Sequence, residues 1–113
     1  MSKVKLTVSS RQEVTERALA GFRGESQGAV ISFSSVELLW QILTQKRWAL
    51  LKYMVGREPM TIRGLARRMD RDVKGVHGDV HKLLNAGLID RIEDGRVVFP
   101  YNAIHVDFEL NAA

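Results

Sequence analysis

Apolar and polar residues alternate in Lys3-Val4-Lys5-Leu6-Thr7-Val8, and most of the apolar ones are β-branched, which predicts a half-buried strand. Ser9-Ser10-Arg11-Gln12-Glu13 follows with two overlapping capping boxes, Ser9 with Gln12 and Ser10 with Glu13, the signature of a helix start. That helix carries Val14, Ala18, Leu19 and Phe22 on one side and ends near Gly24. After a polar break, Ala29-Val30-Ile31-Ser32-Phe33 predicts a second strand. Ser34-Ser35-Val36-Glu37 repeats the capping chemistry and opens a helix through Leu38, Leu39, Trp40, Ile42 and Leu43. Thr44 is placed to cap the next helix, Gln45 to Val55, which has Trp48, Leu51 and Val55 on one stripe, Leu50 and Met54 beside it, and Gly56 as its stop. These two helices hold more large apolar groups than one stripe needs, a pattern that fits either full burial in a core or a dimer interface.

The stretch Pro59 to Phe99 organises the rest. Ile62, Leu65, Ala66 and Met69 have the spacing of one buried helix face, so Thr61 to Met69 is a helix that leaves Arg63, Arg67 and Arg68 outside. Asp70-Arg71-Asp72 makes a tight turn and supplies an Asp N-cap. Val73 to Ala86 is a second helix, with Val73, Val76, Val80, Leu83 and Leu84 inside and Lys74, Gly75, His77, Gly78, His81 and Lys82 outside. Ile89 to Phe99 is a two-stranded ribbon around Asp94-Gly95, read as a two-residue type I′ turn that puts Glu93 opposite Arg96. Helix, turn, helix and ribbon in this order predict a winged helix-turn-helix. Beyond Pro100, Ile104, Val106, Phe108 and Leu110 alternate with His105, Asp107 and Glu109 as a final strand. Lys3 and Lys5 on the first strand and Asp107 and Glu109 on the last favour pairing of the two, within one chain or between two.

The expected fold class is therefore α+β: a winged helix-turn-helix over 34–113 with a C-terminal strand, preceded by a strand-helix-strand extension over 1–33 that serves as a dimerisation arm.

Charge adds a direction. The net charge is only +4, but residues 44–82 hold ten Lys or Arg against four Asp or Glu, a balance of +6, while the remainder, seven against nine, is −2. A basic centre fits either a solvated basic surface or a face turned to a polyanion. With no cysteine, disulfides, thiolate catalysis and sulfur-based zinc sites are excluded. No apolar run approaches the roughly 20 residues of a membrane span and the start lacks an apolar signal region, so the expected location is the cytoplasm, on the nucleoid when DNA is bound.

The residues expected to meet DNA are Thr61 and Arg63 at the start of the first motif helix, Arg71 in the turn, Lys74, Gly75, His77, Gly78 and His81 on the second helix, and Arg91 and Arg96 on the wing. Lys74 and His77 can donate to base edges or phosphates. Gly75 and Gly78 cost a helix about 1 kcal/mol each relative to alanine, and they fit either close approach to DNA or a weakly discriminating helix. Arg96 reads either as the ion-pair partner of Glu93 or as a wing contact. His77 and His81, four apart, could share a metal, but two histidines on a basic face are more ordinarily solvent or phosphate contacts, so no metal and no cofactor is expected. No nucleophile-base set, phosphate loop or carboxylate pair appears, and no enzyme is expected.

Several segments also resemble the small prokaryotic winged-helix transcriptional regulators similar to MarR-like proteins, some of them described as antitoxin-type DNA-binding proteins. They are Leu43-Thr44-Gln45-Lys46-Arg47-Trp48, Thr61 to Arg68, Val76-His77-Gly78-Asp79-Val80, Ala86-Gly87-Leu88-Ile89, Glu93-Asp94-Gly95-Arg96, and Pro100-Tyr101 with Ile104-His105-Val106, over roughly 33–110. The resemblance implies a DNA-binding regulator, working as a homodimer on double-stranded DNA. Gly75 and Gly78 depart from its pattern by standing where polar or basic side chains would read bases. A winged-helix protein-interaction module, for example an antitoxin bound to its toxin, is the alternative, and a metal-sensing regulator a third.

Overall fold

The computed structural model describes residues 3–8, 29–110 and 112, so the helix expected between Ser9 and Gly24 lies outside the described residues. The described elements are β1 (Lys3–Val8), β2 (Ala29–Phe33), α1 (Val36–Ile42), α2 (Gln45–Met54), α3 (Ile62–Arg68), α4 (Val73–Asn85), β3 (Asp90–Arg91), β4 (Val97–Val98) and β5 (Ala103–Asp107), an α+β arrangement. Contacts divide them into two units, one built from residues up to Gln41 and from Tyr101 onward, the other Ile42–Pro100. The C-terminal strand thus stands with the N-terminal elements, whereas the sequence reading grouped it with residues 34–113.

The first unit is a parallel sheet in the order β2-β1-β5. Val4 aligns with Ala29 and Ile104, and Leu6 with Ile31 and Val106, so one face is an apolar layer three strands wide. Val4 and Leu6, in the central strand, are fully buried. On the other face Lys5 Nζ lies 3.2 Å from an Asp107 carboxylate oxygen, both side chains about half exposed, a pair worth at most about 1 kcal/mol. The first and last strands therefore pair within one chain, in parallel. The final strand ends at Asp107, aligned with Thr7 and short of the expected Leu110. In α1 the Ser35 hydroxyl accepts from Leu38 N at 3.2 Å, as its capping sequence requires, and Leu39 is buried.

In the second unit each helix opens on the cap its sequence offers. Thr44 accepts from Arg47 N at 3.3 Å, Thr61 from Gly64 N at 2.9 Å, and Asp72 from Gly75 N at 3.1 Å. The core between the helices is Leu50, Leu51, Met54, Leu65, Ala66, Val76, Val80 and Leu83. Each buried Leu contributes roughly 2 kcal/mol. Trp48 stays 37% exposed, so α2 buries one stripe, Leu50, Leu51 and Met54, and leaves another open.

The end of α4 sets the direction of the ribbon. Gly87, at φ +80°, donates to Leu84 O while Leu88 N donates to Leu83 O, both at 3.0 Å. This is the Schellman arrangement, and it satisfies the last carbonyls while turning Leu88 and Ile89 into the core. β3 and β4 then pair antiparallel, Asp90 with Val98 and Arg91 with Val97. Met60, before α3, adds a bridge from the other side: its N and O both bond Val97, at 3.0 and 2.8 Å, which fastens the ribbon to the α2–α3 connection.

The ribbon's turn differs from the sequence expectation. Ile92 N donates to Arg96 O and Gly95 N to Ile92 O, so the loop is Glu93-Asp94-Gly95, three residues rather than two. Gly95 alone takes the left-handed backbone, at φ +87°, and Asp94 does not, which excludes type I′. The physical reason is the Asp94 carboxylate. It accepts from Arg96 N at 3.0 Å and from Arg96 Nε at 2.7 Å, and so holds the turn in this form. Arg96 is therefore paired with Asp94 and not with Glu93.

Candidate nucleic-acid interface

The outward face of α4 is set by what its inward face must bury. Val76, Val80 and Leu83 are fully buried, which leaves Lys74, Gly75, His77, Gly78 and Lys82 exposed and His81 partly so. The one carboxylate in the helix, Asp79, is only 14% exposed, because it lies three residues after Val76 and four before Leu83, on the buried stripe. It is held from two sides. Arg47 Nε, from α2, donates to one oxygen at 3.1 Å, and Arg71 Nη2, from the α3–α4 turn, donates to the other at 2.8 Å. Arg47 Nη1 also donates to Ile42 O at 3.2 Å. The exposed stripe of α4 consequently carries cations, imidazoles and glycines and no acid.

This triad gives Arg71 a different place from the one expected of it. Its side chain is 21% exposed and its Nη2 is engaged by Asp79, so it fixes the turn against α4, while the triad of two arginines and one carboxylate keeps a net charge of +1. Pairing of two arginines on a shielded carboxylate is a structural role that sequence reasoning missed at Arg47 and Asp79. The signal was present, since an acid on an apolar stripe requires a partner.

The other expected residues are placed as follows. Thr61 is the exposed N-cap of α3, its oxygen accepting from Gly64 N, and Arg63 is exposed on the same helix. His77 and His81 rings stack with centroids 4.1 Å apart. His81 Nδ1 lies 2.8 Å from His77 O, and since a carbonyl only accepts, that ring nitrogen is the donor. Among the described residues no group of three His, Asp or Glu is arranged around a metal position.

Gly75 and Gly78 differ from one another. A Cβ on Gly75 would stand 3.4 Å from Arg71 Nη2, whereas one on Gly78 would meet nothing within 4 Å. Gly75 thus lies over the guanidinium that the triad positions, and Gly78 faces open space.

On the ribbon, Arg91 is exposed and Arg96 is drawn onto Asp94. The Arg96 backbone N–H, followed by its guanidinium, holds the Asp94 carboxyl below its ordinary 3.8, with desolvation opposing. Lys74, His77 and His81 thus share one side of α4, while Arg71 and Arg96 are occupied by carboxylates. Among the described residues no helix is long and apolar enough to cross a membrane.

Neither the curated proteins nor the solved structures contain a match to this chain. A family model does match, over residues 42–106, which is 65 of the 113 residues and takes in the whole of the second unit, Ile42–Pro100. The chain belongs to the HVO_A0114 family.

Proposed function

We propose that this protein is a DNA-binding transcriptional regulator of winged helix-turn-helix type, a reading that extends its sequence resemblance to MarR-like regulators. The observation that carries it is the acid-free exposed stripe of α4. Its single carboxylate is turned inward and shared by two arginines, so no acid of the helix itself stands on the stripe with Lys74, His77 and Lys82. In this reading α4 enters the major groove, Thr61 and Arg63 meet the backbone, and Arg91 on the ribbon lies on phosphate or in the minor groove. Backbone contact dominates base readout, because the stripe has glycine at 75 and 78 where side chains could reach base edges.

Two copies would present two α4 helices to half-sites about one helical turn apart. Apolar surface in the strand unit supports self-association. Trp40 is 59% exposed and meets Phe108 edge to face at 6.2 Å, with Leu38 also exposed.

Fluorescence anisotropy with random-sequence duplexes at two salt concentrations tests the reading. Binding that weakens steeply with salt is expected, and Lys74→Ala should lower affinity and reduce the logarithmic salt slope by about one. Absence of binding at low salt overturns it. The second reading, a winged-helix module that binds a protein partner such as a toxin, draws on the same glycines, which leave a shallow face for another backbone. A stoichiometric protein partner that survives high salt in co-purification would favour it.

A further inference from the structure

We propose that the cleft between the end of α2 and the outer side of α3 binds a small phosphorylated anion. The cleft encloses about 730 Å³ and is lined by Tyr53, Arg57, Thr61, Gly64, Arg67 and Arg68, with Glu58 as its one acid. That volume lies within the roughly 300–1,000 Å³ of small-molecule sites. Three guanidiniums against one carboxylate give the lining a balance of +2. Among the described residues, Arg57, Arg67 and Arg68 form no ion pair, in contrast to Arg47, Arg71 and Arg96 in the same unit. A concave surface with uncompensated charge focuses the field on its interior.

Exposed arginines by themselves are ordinarily a solvated surface, and two features set this cleft apart. Arg57 is held before any ligand arrives: its Nε donates to Tyr53 O at 2.8 Å and its guanidinium lies over the Tyr53 ring at 4.1 Å. Its four Nη hydrogens are left for a ligand, and little side-chain freedom remains to be lost on binding. The opposite wall is thinned by Gly64, where a Cβ would come within 3.0 Å of Thr61 Oγ1. Gly64 and Arg68, four apart, share a side of α3 away from the buried Leu65 and Ala66.

Phosphate suits this lining better than carboxylate, because arginine forks engage its several oxygens in pairs and three forks match a multiply charged anion. A compact ligand suits a cleft better than the convex backbone of a duplex. Apart from Thr61, the site shares no residue with the proposed DNA face, so it stands independently of that reading.

Calorimetric titration of the full chain with pyrophosphate at low salt tests the proposal. Saturable binding at one site is expected, weakened about tenfold by Arg57→Ala and again by Arg68→Ala, as loss of a charge-assisted contact implies. Lys46→Ala, an equal change of charge outside the cleft, should leave the affinity unchanged. The proposal fails if no saturable binding occurs, or if Lys46→Ala weakens binding as much as Arg68→Ala. It also fails if duplex DNA displaces pyrophosphate in simple competition, which would make the cleft a backbone-phosphate contact. The titration without DNA reads this site alone, and the anisotropy assay without pyrophosphate reads the DNA face alone.

Discussion

Asp79 decides how α4 is held and, through that, what the helix exposes. Its two oxygens are bonded by arginines from two different elements, and all three side chains are at most 21% exposed. Removing the charge leaves two shielded guanidiniums facing a neutral amide. Asp79→Asn should therefore lower unfolding stability by roughly 2 kcal/mol, read from the urea midpoint at an unchanged slope, the cost of leaving a shielded ion pair half-made. A loss below a few tenths of a kcal/mol would show that water already screens the triad. This arrangement was half legible. Asp79 on the apolar stripe signals an obligatory partner, but which basic residue supplies it is a long-range fact: Arg47 is 32 positions away, and nothing in its local pattern separates it from Lys46. Asp94 shows the same limit at short range, since Glu93 and Asp94 both offer Arg96 a carboxylate. The choice between them depends on the turn geometry that the carboxylate itself helps to select.

At the scale of elements, local chemistry was the better guide. Thr44 and Asp72 each cap the helix their position announced, Thr61, expected as the first helical residue, caps α3 instead, and Gly87 ends α4. The pattern anticipated that the first and last strands pair and that the ribbon strands pair, but not the further bridge or the extent of each pairing. The bridge from Met60 to Val97 joins residues with no shared periodicity, and β5 stops at Asp107 although the alternation continues to Leu110. The glycines of α4 can be separated experimentally at this scale. Gly78 has open space around its missing Cβ, so Gly78→Ala should stabilise the protein by about 1 kcal/mol in thermal or urea unfolding. If α4 lies closely against DNA, the same variant binds duplex several-fold more weakly despite its greater stability. Unchanged binding would mean the glycine is tolerated rather than required.

Across the whole molecule, the two units draw on the chain in different ways. The sheet unit places β1 between β2 and β5, so its central strand depends on segments from both sides of Ile42–Pro100. The helix unit is continuous in sequence. Among the described residues, twelve of the fifteen buried apolar ones, from Leu50 to Phe99, lie inside it, and the other three are Val4, Leu6 and Leu39. Its 59 residues fall in the range where a single core can just sustain independent folding. A fragment spanning 42–100 should therefore unfold cooperatively, with dispersed amide resonances and the helical signal of α2, α3 and α4. Truncation of the full chain after Pro100 should leave that signal intact while removing β5, and with it one of the two partners of β1. A fragment with collapsed amide dispersion would show that the core from Leu50 to Phe99 does not suffice. If the fragment folds and still binds duplex DNA with the salt dependence of the full chain, the proposed DNA face belongs to this unit alone, and the strand unit is left for self-association.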